Sequence, residues 1–457
     1  MAAFEHGLTR RGFLRASGLA AGTAVLVACA PAAPAAPADA GEAAAPAAEG
    51  ATLEAWSRMT DLAQESIIGI IDNYNAQNEL GSTVEFVYVA QTQGTQADEK
   101  LLTAVAGGTP PPLYYADRFT VPQFAHQGFF SNITDYANAV GVTKEDYFDF
   151  AWEETVYKGG VYALSFDTDT RALWYNMDIM AEVGLDPEAP PSNLNDLRAA
   201  TKALEIRDDQ DRVTRYGFNP IYDQAWLYTW GFGFGGSFQD PETRRITFGH
   251  EKNIEAMKFV KSFVDEIGIE NVDAMLAACA GGACRGPNDY FWTGQSAMTC
   301  SGNWKVAQHH RYTPDTNYGV VPMPGPDGPA PHASWAGGWS WCIPQGTEDV
   351  ATAFDALAYF CGTEGQLKYN KDTFHIPTIR EAAKDPFFYE DPLHAVFMDL
   401  LPVSSARPPI PFGSKLWDLQ VQAFRDHIPH GTKSVEDALN DIDTEINADL
   451  EEAGFFS

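Results

Sequence analysis

Short β-branched and aromatic runs alternate with amphipathic stretches along most of residues 51–457. TVEFVYV (83–89) reads as a buried strand. Ahead of it, Ile67, Ile70, Ile71 and Tyr74 recur at the spacing of one helical face. TPPPLYYAD (109–117) turns through prolines into another strand. Near the end, Val435, Ala438, Leu439, Ile442, Ile446 and Leu450 form one helical stripe, and Ser434 with Asp437 supplies a capping-box start. Alternation of this kind predicts α/β layers with parallel sheets, in which ligands settle beyond the carboxyl ends of the strands. About 400 residues exceed what a single core organises comfortably, so two domains are expected. No period of about 20–50 residues recurs, which argues against a solenoid.

The first 50 residues stand apart from this pattern. Ala16 to Ala28 is an uncharged run of 13 residues, short of the roughly 20 apolar residues that span a bilayer. Basic residues precede it: Thr9-Arg10-Arg11-Gly12-Phe13-Leu14-Arg15 resembles a twin-arginine export signal. Leu26-Val27-Ala28-Cys29 resembles a bacterial lipobox, which makes Cys29 the expected lipid attachment point. Residues 1–28 are therefore expected to be a signal peptide. In residues 30–50, Ala and Pro fill 16 of 21 positions. Such a segment buries too little surface to fold. Residues 29–50 are expected to form a tether that reaches up to roughly 60 Å from a membrane surface.

The whole chain carries a net charge of −32. Removing residues 1–28 takes away Glu5, Arg10, Arg11 and Arg15 and leaves 61 acids and 27 bases, a net charge of −34. Nucleic acid and anionic membrane surfaces are repelled by such a field, and a small anionic ligand would need a local basic pocket. A mean hydropathy of −0.24, with no downstream run of 18 apolar residues, fits a soluble globular body. Of the six cysteines, Cys279 and Cys284 in CAGGAC are placed to close a small disulfide. The pairing of Cys300, Cys342 and Cys361 stays open. A zinc site is the rival use of these residues, but His309-His310 has no CxxC or HxxxH companion.

Aromatic residues make up 12% of the chain, and their clustering is the strongest pointer to chemistry. AWLYTWGFGF (225–234), SGNW (301–304) and WAGGWSW (335–341) set tryptophans beside glycine, serine and asparagine. Tryptophans are more often core than surface, but these flank loop-like residues from which a flat ring can face a gap. A sugar ring wants such a plate beneath its C–H face and polar side chains around its hydroxyl edge. Gly231-Phe-Gly-Phe-Gly-Gly236 matches GxGxxG formally, without the strand and helix a dinucleotide site needs. No nucleophile-elbow, zincin, Walker or EF-hand pattern occurs.

Five segments, in order, resemble one family. They are ALWYNMDIMAEVGLDPEAPPSNLNDL (172–197), FWTGQSAMTCSGNW (291–304), GGWSWCIPQGTEDVATAFDALAYF (337–360), FHIPTIREA (374–382) and SVEDALNDIDTEI (434–446). The chain resembles the family 1 extracellular solute-binding proteins of ATP-driven importers, the maltose-binding-protein-like group. That resemblance implies a two-lobed α/β fold of the periplasmic-binding-protein kind, with hinge strands crossing between lobes and ligand held in the cleft. The lobes would be 51–167 with 321–374, and 168–320 with 375–457. It further implies a monomeric, lipid-anchored protein outside the cytoplasm that closes around a sugar or polyol and docks with ABC permease subunits, with no catalysis and no cofactor.

The resemblance also nominates site residues. Asp117 and Arg118 would meet sugar hydroxyls, and Trp304 would stack on a ring. Gly337, Gly338 and Trp339 would line the opposite lobe. Asp169 or Thr170 would face the cleft at the crossing. Ser57 and Arg58 follow the first strand, and Gln91 the second. Trp226, Trp230, Arg407 and Trp417 complete the set. Two alternatives stay open. A binder of glycerol phosphate esters or other small anions would need two or more basic groups converging, with Arg58, Arg118 and Arg407 as candidates. A surface carbohydrate hydrolase would need a spaced pair of carboxylates.

Overall fold

The structure is a computed structural model that describes residues 50–90, 98–326, 328–329 and 334–456. The signal peptide 1–28, the lipidation site Cys29, the tether up to residue 49 and Gln91 lie outside the described residues. In chain order, the elements that position the site begin with β1 (Thr52–Ser57), α1 (Asp61–Gln77), β2 (Thr83–Tyr88), β3 (Leu113–Asp117) and β4 (Ala163–Ser165). They continue with β5 (Arg171–Asn176), α2 (Leu227–Gly233), β6 (Met298–Gly302), α3 (Lys305–Tyr312) and β7 (Tyr318–Val321). The last are β8 (Trp339–Cys342), α4 (Val350–Cys361), α5 (Gly413–Val421) and α6 (Val435–Glu452).

Two sheets anchor two lobes. The first has the order β2-β1-β3-β8-β4. Its β1 runs parallel to β2 and β3, while β8 runs antiparallel to β3 and β4. Side chains alternate across it: Leu53, Ala55, Tyr115 and Trp341 enter one core with α1 and α4, and Tyr114, Ala116 and Cys342 enter another. Both faces are covered, as a sheet carrying parallel strands requires. The buried face of α1 is Ile67, Ile70, Ile71 and Tyr74, the stripe read from the sequence.

The second sheet has the order β6-β5-β7. It departs from the expected parallel arrangement, because both neighbours run antiparallel to the central β5. Its period-2 pattern is still legible in RALWYN: Leu173 and Tyr175 enter the largest core, and Ala172 and Trp174 the opposite one. α6 packs Val435, Ala438, Leu439, Ile442, Ile446 and Leu450 into that largest core. Ser434 Oγ accepts a hydrogen bond from the Asp437 N–H at 3.0 Å, which caps the helix. Met323 and Trp335 also pack into this second core, although the sequence reading assigns 321–374 to the first lobe.

Three segments cross between the lobes side by side. Thr168 pairs with Ile376, and Asp169 with Gly337, in isolated antiparallel bridges. Thr168 N–H donates to Ile376 O at 2.7 Å, Ile376 N–H returns to Thr168 O at 2.9 Å, and Thr168 Oγ donates to Gly337 O at 2.8 Å. Away from the crossing, Cys279 and Cys284 are joined by a disulfide, while Cys300, Cys342 and Cys361 are buried and unpaired. Two glycines of the GxGxxG match serve packing: a Cβ on Gly231 would stand 2.3 Å from Phe238, and one on Gly236 1.9 Å from Asn253 Oδ1.

Candidate ligand-binding gap

On the first lobe, the carboxyl ends of β1 and β3 bring Ser57, Arg58 and Asp117 beside β8. Trp339 opens β8 and stays partly exposed. Its ring stacks on Tyr115 at 5.3 Å and 14°, and the Arg58 guanidinium lies 4.2 Å from its centroid. Tyr115 is held from behind, donating its hydroxyl to Asp167 at 3.2 Å, and the Trp339 N–H donates to the same carboxylate at 2.7 Å. The plate is thus fixed at ring and backbone, which limits the entropy lost when something settles on it. Arg58 makes no hydrogen bond with the described residues. Burial pulls its pKa below the usual arginine value, with Asp117 and Asp98 pulling the other way.

The second lobe contributes Trp304, at the turn between β6 and α3, again partly exposed. Gly302 makes this ring position possible, because a Cβ there would sit 2.0 Å from the indole. His375 stacks on Trp304 at 5.8 Å and 19°, and Arg171 lies 5.5 Å from its centroid. Trp226 is partly exposed just before α2, 5.1 Å from the ring of Trp417. Trp230 is different. It is 2% exposed, packs against Phe218 and Phe259, and donates Nε1–H to Pro220 O at 2.8 Å. α2 turns it into the core, so in this structure it offers no surface to the gap. Trp417 is also largely buried.

The acids and arginines at the gap are matched with one another. Arg407 donates to both oxygens of Asp117, at 2.6 and 3.2 Å. Two parallel bonds of this kind are the strongest form of the pair. Burial works against the Asp117 carboxylate, but Arg407 and Arg58 outweigh it and hold its pKa below the usual value. The pair also spans the lobes, since Asp117 ends β3 while Arg407 lies over Trp335 and Trp417 of the second core. Arg118 points inward and is fully buried. It bonds Glu154 at 3.0 Å, Ser165 Oγ at 3.2 Å, Gly337 O at 2.6 Å and Asp167 O. With its donors spent, it braces the crossing rather than facing the gap.

Asp169 accepts from Arg171 and from the Gly337 N–H, the latter at 2.7 Å. The Thr170 N–H donates to Asn303 Oδ1 at 3.1 Å, and its Oγ–H donates to Phe397 O at 3.0 Å. Gly338 is also tightly enclosed: at φ +139, a Cβ would lie 2.3 Å from Asp167 O and 2.4 Å from Arg118. Ser57 is buried and accepts from the Met59 N–H at 3.2 Å.

Several residues here carry no sequence signal. Glu154 neutralises Arg118 from 36 positions away, and nothing separates it from Glu153 by pattern. Arg171 lies 4.0 Å from the Trp335 ring and donates to Gln224 at 3.4 Å, a contact that depends on how distant strands are placed.

Comparisons with known proteins agree with this architecture. The sequence profile of the bacterial extracellular solute-binding proteins matches residues 69–396. The maltotriose-binding protein of Pyrococcus abyssi is 24% identical over 342 residues, covering 73% of this chain and 68% of that protein. The solved structure of CpMnBP1 with mannobiose bound superposes with a TM-score of 0.75 at 23% identity, covering 87% of this chain and 100% of that one. UgpB from Mycobacterium tuberculosis, solved with glycerophosphocholine, gives a TM-score of 0.69 at 19% identity, covering 88% and 99%. With nearly three quarters of the chain matched by the profile, and the same two-lobed α/β fold, the chain belongs to the bacterial extracellular solute-binding proteins.

Proposed function

We propose that this protein is the substrate-capturing component of an ABC importer, binding a neutral sugar of one or more rings between its lobes and performing no chemistry on it. The observation that carries the reading is the pair of partly exposed tryptophans, Trp339 on the first lobe and Trp304 on the second, each backed by a stacked ring. Such plates suit the C–H faces of a sugar. The relatives named for maltotriose and mannobiose support the same ligand class. We place the hinge at the three crossings 166–170, 336–338 and 374–378, where ligand-driven closure would act.

The rival ligand, a glycerol phosphate ester or other small anion, is favoured by one neighbour's bound glycerophosphocholine. Against it, two of its three candidate bases, Arg118 and Arg407, are already neutralised by Glu154 and Asp117, which leaves Arg58 alone without an ion pair to a described residue where two or more converging bases are needed. A thermal-shift screen against mono- and disaccharides, followed by calorimetry, tests the reading. Saturable 1:1 binding without turnover is expected. Hydrolysis of the sugar, or binding confined to phosphate esters, would overturn it.

We further propose that Cys29 carries a lipid and that residues 29–50 hold a monomeric body outside the cytoplasm, near its permease. Among the described residues, no helix is long and apolar enough to cross a membrane. Cys29→Ala is expected to move the protein from the membrane fraction to the soluble fraction; retention in membranes would refute the anchor.

A further inference from the structure

The helix that carries Trp417 does not continue regularly. α5 passes into a π-helical stretch, Gln422–His427, before the chain resumes α-helix at Ile428. Wide turns of this kind break the usual ladder and occur most often at functional sites. Here the stretch presents Arg425 to the gap-side tryptophan of the second lobe. Its guanidinium lies 4.2 Å from the Trp226 centroid, and Phe424 and Trp417 touch the same ring at 6.0 and 5.1 Å.

Arg425 is unlike Arg118, Arg171 and Arg407. It makes no hydrogen bond and no ion pair with the described residues, and its Nε is buried without a partner. A buried donor left unpaired carries a desolvation penalty that a bound partner would relieve. Burial also draws its pKa down to about 10, with Asp426 and Asp223 opposing, which leaves the group charged at neutral pH. Next to it, Asp223 holds a left-handed backbone at φ +54, a state aspartate adopts more readily than most residues. Gln224 follows and accepts from Arg171, which reaches on to Trp304. Trp226 and Trp304 are therefore two plates on one wall, separated by the Arg171–Gln224 contact.

We propose that Arg425 is a ligand-contacting residue that donates to a vicinal hydroxyl pair on a second sugar ring lying against Trp226, so that the gap selects saccharides of two or more rings. A planar guanidinium fork matches two adjacent oxygens, and its buried Nε–H would gain the bond it lacks. This inference rests on the sugar reading above.

The test titrates purified protein with glucose, maltose, maltotriose, mannose, mannobiose and mannotriose, first the wild type and then R425Q and R425K. For the longest sugar that binds, R425Q is expected to weaken affinity by about ten-fold or more. The shortest sugar that binds should lose less, R425K should recover part of the loss, and the ligand-free Tm should hold. Affinity within about two-fold of wild type, or an equal loss at every chain length, would overturn the role of Arg425 and leave the sugar reading standing. Failure of the wild type to bind any of the six would overturn the sugar reading, and this inference with it. Should R425Q not fold, the chain-length profile of R425K decides: a loss larger for the longest sugar than for the shortest supports the role, and no loss or an equal loss overturns it, since an ammonium has no fork to span two oxygens.

Discussion

Trp304 and Asp117 fail differently when altered, because one offers surface and the other holds charge. Trp304 is partly exposed, and its ring is braced by His375 rather than by deep packing. Trp304→Ala should therefore cost little stability but weaken sugar binding by at least about 1 kcal/mol from lost stacking and burial. Titration calorimetry reads this directly, and unchanged affinity would remove Trp304 from the site. Arg407 is the opposite case. It is 3% exposed and holds a buried carboxylate between the lobes. Arg407→Ala strands Asp117 without its counter-charge, which typically costs about 3–5 kcal/mol. Denaturant unfolding should show that loss with or without ligand. Asp117→Asn in the Arg407→Ala background should recover part of it, because the uncompensated charge is then gone. No recovery would mean that packing of Arg407 on Phe119, at 4.3 Å, matters more than its charge.

Among the elements, the crossing at 166–170 gathers buried acids, Asp167 and Asp169. Asp167 is fully buried there, and burial, then the neighbouring Asp169 charge, push its pKa up to about 8 against the pull of Arg118. A carboxyl raised above its unfolded value, near 3.9, binds a proton on folding. Its stabilisation is complete below that unfolded value and is lost as pH rises through about 8. Asp167→Asn cannot ionise and keeps an acceptor for the Trp339 N–H. Its Tm should fall less steeply than wild type between about pH 5 and 8, as differential scanning calorimetry across that range would show. Parallel curves would exclude Asp167 as the titrating group. The same crossing marks how far the sequence could be read. Helical stripes such as 435–450 and the Ser434 cap depend on neighbours within a turn or two, and both stand as read. The fate of Trp230 was not legible, because Trp226 precedes α2 with extended backbone, so helical spacing does not tie their directions together. Nor were the matches of Arg118 with Glu154 and Arg407 with Asp117, which link residues 36 and 290 positions apart. Composition offered the arginines as candidates, and only the fold shows which acid each one meets. The π-helical stretch at Arg425 had no sequence signal at all, since QAFRDH reads as ordinary helix.

At the scale of the whole molecule, the lobes also meet at the rim of the gap. α1 begins with Asp61, an acid at the positive end of a helix, with Glu65 one turn further on, and α3 ends with Arg311, a base at the negative end; Asp61 and Arg311 are each favourable to their own helix. Arg311 donates to both oxygens of Glu65 at 3.1 Å and lies 3.5 Å from Asp61, which also accepts from the Tyr312 hydroxyl. α1 packs in the first-sheet core and α3 beside the second sheet, so this exposed cluster bridges the two lobes. Exposed pairs contribute only about 0.2–1 kcal/mol each, too little to close the gap alone but enough to slow its opening. Salt is an ambiguous probe, because it screens this attraction and also the mutual repulsion of two acidic lobes in a chain of net charge −32. Arg311→Ala separates the effects. Ligand dissociation should speed up by about two- to five-fold, following the energy of one or two exposed pairs, with little change in association. Arg311→Glu should go further and enlarge the ligand-free radius of gyration in small-angle scattering, since it sets a third acid against Asp61 and Glu65. If stopped-flow release and scattering match wild type in both variants, the rim cluster is ornamental to closure, and the Asp117–Arg407 pair with the ligand itself must hold the lobes together.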